Sequence, residues 1–234
     1  FIYTSYSDNL VLGFSDKIKQ VINSELYQRV FGLQFSKTEE SKRKWSIEDG
    51  GSMYASSQGG AITGFGAGDI GDNFAGALVC DDVHKVEEAK SPVMRQKVIS
   101  YFEETLENRV NNPKRTPIIL IMHRLHKNDL CGHLLEQDPD RWKVLKYPAL
   151  NEDTGECLWP EKHDRKYLEK LRRQNPAYFY AQFQQAPIET SGLEVYKRKS
   201  FNWYDELPHK DKIIRITQSW DTAFKTGTPN DYSV

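Results

Sequence analysis

Ala77–Val83, reading ALVCDDV, sets two adjacent carboxylates at the end of a short apolar run. A buried strand over Ala77–Cys80 would deliver Asp81 and Asp82 to its carboxyl end, where an open α/β sheet places its ligands. The run therefore reads as a Walker B element. In that chemistry Asp81 holds a magnesium ion through its water shell, and Asp82 orients and polarises the water that attacks the γ-phosphate of ATP. An ordinary buried strand followed by an acidic turn has the same pattern, so these residues alone leave both readings open.

Two other groups invite a chemical reading. His123, His126, Cys131 and His133 supply imidazole and thiolate, the usual zinc ligands, but one Cys and three His in a strand-to-helix turn match no common structural zinc spacing. At the end of a strand beside the acidic pair, His123 and Arg124 would instead sense the γ-phosphate or its water, with Asp129 capping the next helix. The glycine-dense stretch Gly50–Gly68 could wrap a phosphate at Gly59–Gly68. Its spacing fits no phosphate-loop pattern, and glycine density more often marks tight turns and close backbone approach.

The elements that must position these groups alternate between strand and helix. Phe1–Tyr6 reads as a strand, and Asp8 as the cap of a helix carrying Val11, Phe14, Ile18, Val21 and Ile22 on one face. A polar, Trp-containing excursion and the glycine-dense stretch follow. Ser91 and Pro92 then open a helix through Met94, Val98, Tyr101, Phe102, Thr105 and Arg109. Pro117–Met122 is the next buried strand. Three strands with two intervening helices predict βαβ units and a parallel sheet.

Beyond Asp129 the pattern shifts to short helical pieces at 129–136, 164–173 and 176–185, joined by Trp- and Pro-containing loops. Ala186–Gly192 reads as a boundary. After it, Lys212–Asp221 reads as a strand ending in a carboxylate, followed by a Gly-Thr-Pro-Asn turn and a return partner at Asp231–Val234. Asp221, with Asp231 across the hairpin, is on these residues alone a strand-end Asp opening a turn.

Composition bounds the class. The chain has 234 residues and a formal net charge of −1, so any polyanion site must be local and cannot rest on overall basicity. Lys37–Lys44, Lys162–Arg173 and Lys197–Lys199 are the basic stretches, each mixed with acids or set in a turn. The three cysteines are widely spaced, which favours reduced thiols. With no apolar run of membrane-spanning length and no signal peptide before Phe1, a soluble, intracellular protein is expected. Phe1 in place of an initiator Met suggests a fragment.

Five matches in order carry a resemblance. SYSDNLVLGFSDKIKQVINSELYQRVF, then GGSMYASSQGGAITGFGAG with ALVCDDVHK, then IILIMHRLHKNDLCGHLL, then CLWPE with AYFYAQFQQAP, and finally SWDTAFKTGTPNDYS resemble successive segments of the large terminase subunit of tailed bacteriophages. The resemblance implies the C-terminal part of a P-loop ATPase domain (1–128), a small helical linker or lid subdomain (129–192), and the first hairpin of an RNase H-like nuclease (193–234). It implies ATP hydrolysis that drives double-stranded DNA into a procapsid, with endonucleolytic cutting of concatemers. Asp81 and Asp82 would be the ATPase carboxylates, His123 and Arg124 the coupling pair, and Thr63 and Gly64 would line the DNA or nucleotide side. Asp221 and Asp231 would be ligands of the nuclease metal, magnesium or manganese. The implied partners are the small terminase subunit, the portal protein and further copies in a ring, in the host cytoplasm and away from membranes. A helicase-like ATPase would share the acidic pair without the SWDTA hairpin. The departure is plain: no GxxxxGK[ST] loop occurs in the chain, so the phosphate cradle is expected before Phe1.

Overall fold

A computed structural model of the chain describes residues 1–188, except Asp49 and Asp72. The protein is α/β, built on a six-stranded mixed sheet that is mostly parallel. Its centre is β1 (Ile2–Ser5), four residues that are all buried. On one side β1 runs parallel to β4 (Ser52–Ser57), and on the other parallel to β5 (Leu78–Asp81). Next to β5 lies β6 (Ile118–Ile121), also parallel. Beyond β4 the hairpin β2 (Phe35–Glu40) and β3 (Lys44–Ile47) adds two antiparallel strands, giving the order β2-β3-β4-β1-β5-β6.

The expected three parallel strands are thus the β1-β5-β6 half of a larger sheet. The polar excursion and the head of the glycine-dense stretch form the other half. Their strands, FSKTEE, KWSI and SMYASS, carry few aliphatic residues because they lie toward a sheet edge or are flanked by glycine, so periodicity gives no strong strand signal there.

Helices cover both faces. On one, α1 (Asp8–Ile22) buries Val11, Ser15 and Ile22 against Tyr3, Met53, Ala55 and Trp45. The buried row is 11-15-18-22, so Val21 turns outward and Phe14 stays half exposed, edge-on to Tyr3; the predicted face was rotated toward its larger apolar residues. Ser15 belongs to the core because its hydroxyl accepts the indole N–H of Trp45 at 2.9 Å. The N-cap is Ser7, one residue before the expected Asp8. A short helix, α2 (Glu25–Phe31), follows.

On the opposite face lies α3 (Pro92–Tyr101), opened by Ser91, whose hydroxyl accepts from Met94 N, with Pro92 in the first turn. It continues through a π-type turn over Phe102–Leu106. Phe102 and Leu106 pack with Ile2, Leu78, Cys80, Val98 and Ile99, and α4 (Leu130–Gln137) adds Leu130 and Leu134 to the same core. Truncating Phe102, which has no exposed surface, to Ala would cost about 3–5 kcal/mol.

A second core gathers Leu150, Leu168 and Phe179 with Leu171 and Phe183, using α5 (Arg165–Gln174) and the short α6 (Pro176–Tyr178). The side chain of Gln184 closes it by accepting from Leu150 N at 3.0 Å and donating to Leu150 O at 2.8 Å.

Candidate functional site

Asp81 and Asp82 stand at the carboxyl end of β5, between the ends of β1 and β6. Both are half buried. Side chains alternate along a strand, so Tyr3 on β1, level with Val79, shares a face with Asp81 two residues on. Its hydroxyl donates to Asp81 Oδ2 at 2.5 Å. Burial first, and then the Asp81 carboxylate, push the Tyr3 phenol above its ordinary pKa, so it remains a proton donor at neutral pH.

Asp82 ends the strand differently. Its φ of 42° is left-handed, a conformation that Asp and Asn adopt more readily than most L-residues. Its N–H donates to Ile121 O at 2.8 Å, and its carbonyl accepts from Tyr6 N at 3.2 Å. Oδ1 accepts from the backbone N–H of His123, just past β6, at 3.2 Å. Strand pairing therefore brings the His123 amide onto Asp82.

Arg124 turns elsewhere. Its Nε donates to both oxygens of Asp129, at 2.9 and 3.0 Å, and a terminal nitrogen donates to Lys127 O at 3.2 Å. Asp129 is fully buried and also accepts from Leu125 N, His126 N and Gly132 N, which fixes the turn and caps α4. The guanidinium thus organises the loop after β6.

Sequence reasoning missed a second link between the strand ends. His84, two residues beyond the acidic pair, is buried and accepts from Leu130 N through Nε2 at 2.9 Å. That bond requires the neutral ring with its proton on Nδ1. Burial, and to a smaller extent the charge of Arg95, lower its pKa against an opposing pull from Asp129. The DDVH tetrapeptide shows the histidine, but its partner is 46 residues away.

The glycine-dense segment does not wrap the acidic end. Near Gly60 it leaves the carboxyl ends of β1 and β4, where Gln58 N donates to Ser5 O. By Gly68 it has reached the opposite end of the sheet: a Cβ there would lie 2.0 Å from Thr116 Oγ1, two residues before β6. A Cβ at Gly66 would meet Asn111 Oδ1 at 2.1 Å. These glycines permit close packing at the amino ends of β5 and β6, a strand length from Asp82. Thr63 and Gly64 are exposed along this crossing.

The His and Cys residues considered for zinc have separate engagements. His133 bonds Glu103 at 2.8 Å, His126 Nδ1 accepts from Asn128 N, and burial pushes the Cys131 thiol up to about 11. Among the described residues no three His, Cys, Asp or Glu side chains are placed to hold a metal together. Two adjacent half-buried carboxylates suit magnesium, which binds to one or two protein carboxylates and completes its shell with water and phosphate oxygens. Asp221 and Asp231 lie outside the described residues. No helix among those described is long and apolar enough to cross a membrane. Comparison with models of known protein families and with curated proteins yields no match.

Proposed function

We propose that the chain is part of an ATP-driven DNA translocase of the large terminase type, contributing the carboxylate side of its ATPase site. The observation that carries this reading is the placement of Asp81 and Asp82 at the end of β5, with the His123 amide on Asp82. In this role Asp81, oriented by the Tyr3 hydroxyl, holds the magnesium shell, and Asp82 holds the attacking water and polarises it. A metal held there would neutralise phosphate charge.

A phosphate cradle is still required, and no GxxxxGK[ST] loop occurs in the chain. Among the described residues β6 pairs only with β5, leaving its outer edge open beside the turn that carries His123. A strand added there in parallel would end beside the His123 turn, with β6 between it and the acidic pair, so a phosphate loop following it would lie across that turn from Asp82. His123 and Arg124 then couple phosphate state to the linker, His123 through Asp82 and Arg124 by shaping the turn that leads into α4. Double-stranded DNA is the transported substrate; the small terminase subunit, the portal and a ring of further copies are its assembly partners. Asp221 and Asp231 are proposed as ligands of magnesium or manganese in a nuclease that cuts the same DNA.

The test is nucleotide turnover in a protein that joins this chain to its phosphate loop. Asp82→Asn should lower turnover at least about 100-fold while nucleotide affinity stays nearly unchanged, because its role lies in the transition state. Asp81→Asn should also weaken magnesium-dependent binding. Parental turnover by both variants would overturn the assignment. In the same protein, Asp221→Asn should abolish metal-dependent plasmid nicking and spare turnover.

A further inference from the structure

The exposed face of α5 carries positive charge in a regular row. Lys166, Lys170 and Arg173 follow one another at helical spacings of four and three, so they project from one side of the helix. All three are exposed. Leu168, fully buried, and Leu171 hold the opposite side in the second core, which keeps the row outward.

Two of the nearby acids are paired with the neighbouring row, Asp164 caps the helix, and the exposed Glu161 lies just before it. Arg165 Nε pairs with Glu169 at 2.8 Å, and Arg172 approaches Glu152 at 3.9 Å. Lys166, Lys170 and Arg173 form no ion pair among the described residues. Just before the helix, Lys162 lies 5.1 Å from the ring centre of the half-exposed Trp159, and the rings of His163 and Tyr167 stack. The result is a cationic ridge edged by aromatic surface on a protein whose overall charge is near zero.

We infer that this ridge binds the phosphate backbone of duplex DNA. Its charges extend over about 10 Å, at 1.5 Å of rise per residue. Duplex DNA offers one phosphate charge per roughly 1.7 Å of axis, so several phosphates face the ridge at once. Backbone contact carries no sequence information, as suits a surface that must accept moving DNA. The inference rests on the translocase reading for its choice of duplex, and it adds the site that holds it.

Fluorescence anisotropy with a labelled duplex tests it directly on this chain. Lys166→Glu/Lys170→Glu/Arg173→Glu should lower affinity about tenfold or more near 0.1 M salt and reduce the slope of log affinity against log salt by about 2.7. A control with equal charge reversal at the exposed Lys37, Lys97 and Lys114 should stay within about twofold of the parent. Equal weakening by both variants would overturn the site, as would failure of the parent to hold duplex at about 50 mM salt. Competition by polyglutamate as effective as by unlabelled duplex would assign the ridge to an acidic protein instead. Loss of binding by the ridge variant, alongside undiminished turnover by Asp82→Asn, would keep the DNA site and remove the ATPase assignment.

Discussion

Two strand ends a few ångströms apart treat their aspartates in opposite ways. After β6, Asp129 is fully buried and receives the Arg124 guanidinium and three backbone N–H groups. After β5, Asp81 and Asp82 are half buried, and among the described residues each side chain accepts one hydrogen bond, from the Tyr3 hydroxyl and the His123 amide respectively. A carboxylate saturated by its own fold is a structural part, whereas one held by a single bond keeps lone pairs for water, a metal or a phosphate-bound ligand. The comparison distinguishes three acidic residues that look equivalent in sequence, and it ties the Arg124 guanidinium to the saturated one.

The sharpest way to break that division is thermodynamic. Asp129→Ala leaves the Arg124 guanidinium, only 19% exposed, without its partner and uncaps α4. Urea denaturation should show a loss of about 3–5 kcal/mol. Asp81→Asn and Asp82→Asn should each cost below about 1 kcal/mol, since Asn can still accept the hydrogen bond, and at position 82 it suits the left-handed backbone. Similar losses at all three positions would erase the distinction and return the acidic pair to an ordinary strand end.

The same contrast shows what was legible in the sequence. The caps Ser91, Asp129 and Asp164 announce α3, α4 and α5 because each acts over three residues, and the apolar runs of β5 and β6 are visible for a similarly local reason. The hairpin β2-β3 and strand β4 escape because their stability comes from pairing with neighbours and from one buried face supplied by α1. Within the site, the adjacent acids and His123 can be read from the chain. The Tyr3–Asp81 bond spans 78 residues and depends on strand register, which no local pattern encodes.

A smaller effect comes from the second tie between the two strand ends, His84 to Leu130. Neutral His84 accepts a backbone N–H in the folded protein and its pKa lies below 6.5, whereas the unfolded chain takes up a proton near 6.5. Below that pH the unfolded state binds more protons, so stability falls as pH falls, with a slope of at most about 1.4 kcal/mol per unit from this group. His84→Gln retains an acceptor that does not titrate. It should flatten the fall in denaturation midpoint between pH 6.5 and 5; an unchanged profile would mean that His84 is not what the acid limb reports.

The finest test concerns Tyr3, whose hydroxyl is the one donor to Asp81 among the described residues. Tyr3→Phe keeps the ring in its core against Val11 and Trp45 and removes the hydroxyl that orients Asp81. The expected stability cost is about 1 kcal/mol, one hydrogen bond's net worth. In a protein complete with its phosphate loop, the change should raise the magnesium concentration needed for half-maximal turnover by about fivefold and leave maximal turnover close to parental, because Asp81 is assigned to metal holding and Asp82 to the water. A double-mutant cycle makes the assignment strict. If Tyr3 acts through Asp81, Tyr3→Phe should add nothing further to the magnesium requirement of Asp81→Asn. Additive effects, or a fall in maximal turnover with no change in magnesium dependence, would show that the tyrosine serves the strand and not the carboxylate.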